Sequence, residues 1–156
     1  KMATNGLAQT ALQCALKDVG KCEVPRGTNW GPYVQGLLAN VGIRFPAAWC
    51  CAFVYSKFLD AASQHGVPNP LPRTGGVLSL WNQSKANRKT EPHVGDVLIM
   101  DFGNGAGHTG FVEMVDAKYI YTVEGNSNDD GSREGYEVVK RKRLRSDPRI
   151  KGFLRF

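Results

Sequence analysis

The feature that most limits what this chain can become is a change of pattern near Val94. Before it, apolar residues recur at helical spacing; after it, short β-branched and aromatic runs alternate with turn formers. Leu7, Ala8, Ala11, Leu12, Ala15, Leu16 and Val19 fall on one face of an amphipathic helix, which Gly20 stops. Pro32 opens a second helix through about Asn40, with Val34, Leu37, Leu38 and Val41 apolar and Gly42 ending it. A third helix begins near Ala48, runs to about Ala62 and closes at His65-Gly66. A short fourth covers Val77 to Ser84. The turn-rich stretch from Pro68 to Gly76 reads as a surface loop, because the flanking halves are each too small to stand alone. The 156 residues are therefore expected to form one domain, residues 1–156.

Strands follow at Asp96–Phe102, His108–Val115, Tyr119–Glu124, Glu137–Arg143 and Gly152–Phe156. Asp116-Ala117-Lys118 is a tight connection, so the second and third strands should pair as a hairpin. Helices first and strands after predict an α+β domain, with N-terminal helices packed on a C-terminal antiparallel β-meander of about five strands.

Hydrophobic residues at 42% and charged residues at 22% support a real core and exclude a disordered chain. No run approaches the roughly 20 apolar residues of a membrane span. The opening residues, Lys1 to Asn5, lack the apolar core of a secretion signal, and the export route stays open. A net charge of +6 draws polyanions of any kind. Much of it lies in Lys140-Arg141-Lys142-Arg143-Leu144-Arg145, which suits either a solvated strand and turn or a polyanion-binding face. With no recognition helix and no aromatic stacking motif, specific nucleic-acid binding is not expected. The four cysteines, at 14, 22, 50 and 51, make no Cys-x-x-Cys pair, and two adjacent cysteines poorly suit one tetrahedral zinc. No metal or other cofactor is expected. Cys14 and Cys22 could bridge in an oxidising compartment, but read better as small buried apolar side chains.

Cys50 and Cys51 sit where the third helix starts, where unpaired N–H groups and the helix dipole favour a thiolate. From Cys51, steps of three and four reach Val54, Tyr55, Phe58, Leu59 and Ala62, a continuous apolar stripe. From Cys50 they reach Phe53, Val54 and then Lys57, a mixed face. Cys51 thus reads as core and Cys50 as the thiol a substrate could reach. A thiol nucleophile needs a base, and the base needs a third group to hold its tautomer. Of three histidines, His65 reads as a helix-terminal cation and His93 has no obvious role. His108 follows the small-residue loop Gly103 to Gly107 and opens a strand, which makes it the best base. Across the hairpin it faces Glu124-Gly125-Asn126, where residues two apart share a face. Either Glu124 or Asn126 can accept the second imidazole proton, leaving the other to fix the ring or bind an oxyanion.

Taken in order, Trp49-Cys50-Cys51-Ala52-Phe53-Val54, Gly95-Asp96, Gly107-His108-Thr109-Gly110 and Glu124-Gly125-Asn126 resemble the CHAP domain, the cysteine, histidine-dependent amidohydrolase/peptidase family. The resemblance covers most of the chain, including the loop from Val24 to Asn29. It implies a papain-like fold of the NlpC-type superfamily and cleavage of an amide in peptidoglycan. The bond would join muramic acid to L-alanine or lie within the stem or cross-bridge peptides. It implies Cys50 as nucleophile, His108 as base, Glu124 as orienting acid and Asn126 as an additional polar position. The backbone N–H of Cys50 would serve as an oxyanion donor. Trp49, Trp30 and Tyr33 would wall the substrate groove or serve as core or rim aromatics. Cys51 departs from the family, which carries a small residue there. Calcium binding, known in some relatives, does not carry over, because no Asp-rich loop precedes Cys50. A monomer acting at the cell wall, outside the cell or in the periplasm, is the expectation, with acidic wall polymers as further partners. The competing reading is a non-catalytic basic wall-binding module on the same fold; the four polar positions count against it.

Overall fold

The computed structural model describes residues 6–127 and 135–156; the opening residues 1–5 lie outside them. Helices α1 (Gly6–Lys17), α2 (Pro32–Asn40), α3 (Cys50–His65) and α4 (Val77–Gln83) precede six strands: β1 (Arg88–Lys89), β2 (Val97–Gly103), β3 (Ala106–Val115), β4 (Tyr119–Ser127), β5 (Glu137–Leu144) and β6 (Ile150–Leu154). The α+β class read from the sequence holds. Two of the helix ends follow the expected chemistry: Pro32 opens α2, and Gly66 ends α3 in the left-handed region at φ 67.

The sheet is antiparallel in the order β1-β6-β2-β3-β4-β5. It is not the simple meander expected: the last strand crosses to pair with β2, and the two-residue β1 adds a sixth strand beyond it. Only five residues join β5 to β6, although β2, β3 and β4 lie between them in the sheet. Those five close two successive turns, Asp147 N–H to the Leu144 carbonyl and Ile150 N–H to the Asp147 carbonyl, each 3.1 Å. Such a link cannot cross a flat sheet at about 4.8 Å per strand. The sheet therefore curls, and Ile120 of β4 meets Phe153 of β6 in one apolar cluster with Leu98, Met100 and Val112.

That curl explains the run Val97-Leu98-Ile99-Met100, every member of which is fully buried. Leu98 and Met100 fill the inside of the curl, while Val97, Ile99, Phe111, Val123 and Leu154 face the helices. Against this second face lies α3, with α1 and α2 packed around it, and its residues from Cys50 to Phe58 are all buried. Gly95-Asp96 clasps the sheet to the C-terminal segment. Asp96 accepts both arms of Arg155 at 2.8 Å and the His93 N–H at 2.7 Å. Cys14 and Cys22 are free thiols and only partly buried, so they are not the core side chains their composition suggested. Among the described residues, no helix is long and apolar enough to cross a membrane.

Candidate active site

The site forms where the first turn of α3 meets the start of β3 and the end of β4. Trp49 is the N-cap of α3 without a side-chain cap bond, so Cys50 is the first helical residue. Its N–H and the next two have no partner within the helix; the ladder begins with Phe53 N–H to the Trp49 carbonyl at 2.9 Å.

His108 enters β3 opposite Met100, on the inside of the curl. It is fully buried, and its ring lies parallel to Phe102, centroids 6.2 Å apart and planes 12° off. Nε2–H donates to Glu124 Oε1 at 2.7 Å, which fixes the tautomer and leaves Nδ1 as the basic nitrogen. Nδ1 is buried. The Cys50 thiol is near enough to act on the imidazole. Burial alone would lower the His108 pKa. The Glu124 charge, helped by hydrogen bonding to Cys50 and Glu124, outweighs burial and pushes it up to about 9.

Glu124 is the most fully satisfied group in the site. Oε1 accepts from His108 and from an Arg143 terminal nitrogen at 2.7 Å; Oε2 accepts from Arg143 Nε at 2.7 Å and from Thr122 Oγ1 at 2.5 Å. Four donors fill a carboxylate's four acceptor positions. Burial would raise its pKa, but His108 and the Arg143 fork hold it well below the usual carboxylate range.

Two motif glycines have steric reasons. A Cβ on Gly110 would stand 2.5 Å from Glu124 Cγ and 2.9 Å from the Val123 carbonyl. Gly110 therefore makes the room in which Glu124 reaches His108. A Cβ on Gly125 would stand 2.7 Å from Trp49 Cζ3 and 3.0 Å from two Phe53 atoms. Gly125 lets β4 approach the helix start closely enough for its flanking side chains to reach the site.

Asn126, fully buried, has φ 57, and neither its amide nitrogen nor its amide oxygen finds a hydrogen-bond partner among the described residues.

Cys50, His108 and Glu124 thus come together, while among the described residues no side-chain hydrogen bond joins Asn126 to them. The two thiols differ less in exposure than their helix faces implied. Cys50 is 3% exposed and Cys51 1%, and Lys57, expected to mark a solvent-facing edge, is buried and paired with Asp18. Helix α3 is central, so its faces differ in partners rather than in exposure. Cys51 donates to the Thr74 carbonyl at 3.3 Å, and burial raises its pKa above the ordinary thiol value. Cys50 faces the imidazole.

Of the aromatics, Trp49 is fully buried and its indole N–H is bound at 2.8 Å by Glu23. Tyr33 packs edge-on against it, centroids 6.2 Å apart, and donates its hydroxyl to Asp18. Trp30 is half-buried. Three residues of the constellation were not singled out from sequence, Thr122 on β4 among them. Arg143 was hidden in the basic run, yet it shares strand parity with the residues facing Ile120 and Thr122. Glu23 offered no periodic signal.

A family model described as the CHAP domain matches residues 42–126, more than half of the chain. The chain belongs to the CHAP family. The match holds all four motifs of this CHAP domain and leaves Glu23 and Arg143 outside it. The solved structure of Ly7917 is similar in fold, with a TM-score of 0.54 and 18% identity over 95% of this chain and 61% of that one. The chain thus spans about three fifths of that protein's length, and the likeness carries the fold alone. No curated protein matches the sequence.

Proposed function

We propose that this CHAP domain hydrolyses an amide bond of bacterial peptidoglycan through a thioester on Cys50. One observation carries the reading: a buried His108–Glu124 pair whose imidazole also interacts with the Cys50 thiol at the start of α3. Family membership supports an amidase or peptidase; the wall substrate and the residue roles are our reading.

In this mechanism His108 Nδ1 takes the Cys50 proton. The thiolate attacks the amide carbonyl carbon, and the new oxyanion sits against the Cys50 N–H. The C–N bond then breaks, and Nδ1–H gives its proton to the departing amine. Water attacks the thioester, Nδ1 removes its proton, and the acid leaves as the thiol is restored. Glu124 stays ionised throughout and holds the ring. Asn126, with two buried polar atoms to offer, binds the substrate's amide or its oxyanion. Trp30 remains a groove wall; Trp49 supports from beneath. Such a substrate puts the action at the cell wall.

The test is digestion of purified peptidoglycans of several cross-bridge types, read by mass spectrometry of the soluble products. Fragments carrying a new amine and a new carboxylate at one amide position support the reading and identify the bond. No fragments from any wall, with wall binding retained, would favour the non-catalytic binding module.

A further inference from the structure

Glu23 lies in the connection between α1 and α2, far in sequence from every motif, and is 1% exposed. Its carboxylate touches no cation within ion-pair distance among the described residues. Instead Oε2 accepts from the Trp49 indole N–H and Oε1 from the Gly27 N–H, each at 2.8 Å. Burying a carboxylate on two neutral donors is costly, and a glutamine or an apolar residue would cost less. What the charge holds is therefore informative.

It holds Trp49 by its one polar atom. Trp49 caps α3 immediately before Cys50, and its ring is the surface on which Gly125 closes, between Glu124 and Asn126. The indole thus touches both halves of the site: by the chain to the thiol, and by packing to the strand that orients the base. Glu23 is itself anchored, its N–H donating to the Tyr136 carbonyl at 2.8 Å while Cys22 bridges to Glu137. An anchored carboxylate gripping the indole fixes the ring's rotation, and with it the distance between Cys50 and His108.

We infer that Glu23 is a positioning residue for the Cys50–His108 pair, acting through the Trp49 indole. The inference rests on Cys50 as the nucleophile but not on the identity of the substrate. A carboxylate is required because it only accepts: glutamine at this position would turn an N–H donor toward either the indole or Gly27.

The experiment is a double-mutant cycle on Glu23→Gln and Trp49→Phe, reading the rate of Cys50 alkylation by iodoacetamide across pH, with the site confirmed by mass spectrometry. Either single variant should slow alkylation roughly tenfold or more, the size of one hydrogen bond to a charged group. The double variant should lose nothing further, because both changes remove the same contact. On peptidoglycan, kcat should fall while KM stays near the wild-type value. Effects that multiply in the double variant, or a folded Glu23→Gln protein that alkylates at the wild-type rate, would overturn the inference. Should Glu23→Gln not fold, hydrogen exchange of the wild-type indoles decides. Trp49 N–H exchanging far more slowly than Trp30 supports the grip, and equal exchange refutes it. Alkylation needs no wall substrate, so failure of the peptidoglycan reading leaves this result standing, and the reverse.

Discussion

The two halves of the site are held by different forces. On the sheet half, His108, Glu124, Arg143 and Thr122 form a buried charged network in which every acceptor position of the carboxylate is filled. On the helix half, Trp49 and Cys50 are held by packing and by one neutral-donor contact to Glu23. A charged network keeps a proton and an angle; a packed helix start keeps a distance. The contrast says which perturbation each half should feel: charge on the sheet half, volume on the helix half.

The largest expected effect attacks the network. Arg143→Met leaves Glu124 short of its fork, and breaking a buried pair this way costs about 3–5 kcal/mol. Denaturant unfolding should show that loss, with activity falling alongside. A loss below 1 kcal/mol would mean the arginine is not the partner that holds the carboxylate. Next come the steric tests. Gly125→Ala and Gly110→Ala each force a Cβ into occupied space and should cost about 1–3 kcal/mol. Gly125→Ala should slow Cys50 alkylation while leaving the His108 titration in place, and Gly110→Ala should shift that titration. The opposite pattern would break the division between the halves.

A smaller effect is set by pH. The His108 pKa is raised from its usual 6.5 to about 9, so the stability its protonated form contributes is complete below about 6.5 and is lost as pH rises through about 9. The Glu124 pKa is lowered, so its contribution is present above the usual 4.5 and lost as pH falls through the depressed value. Melts from pH 6 to 10 should show an alkaline loss in the wild type that His108→Gln lacks; equal slopes would contradict it. The smallest effect concerns the outward cations of β5. Lys140→Ala and Lys142→Ala should each move stability by no more than about 0.5 kcal/mol, as exposed substitutions do, against the large loss at Arg143 on the same strand.

That last contrast also shows what the sequence could and could not say. The helices, the hairpin and the meeting of His108 with Glu124 were legible, because period and turn chemistry decide them locally. The crossing of β6 was not: nothing in Gly152 to Phe156 states which strand it will join, and the curl that brings it to β2 is a property of the whole sheet. Without the curl, Arg143 reads as one more cation in a basic run; with it, strand parity turns Arg143 inward to Glu124 and leaves Lys140 and Lys142 outside. The two thiols were separated on a helical-face argument that failed at Lys57, because Asp18 neutralises a lysine that composition alone assigns to solvent. Glu23 was invisible for a related reason: a buried acid is recognisable only by what it touches.

The most direct measurement compares wild type, Cys50→Ala and Cys51→Ala on the same purified peptidoglycan by mass spectrometry, with folding of each checked by thermal melt. The account predicts identical new fragments from wild type and Cys51→Ala and none from Cys50→Ala. Fragments persisting with Cys50→Ala, at a rate near the wild type, would contradict it.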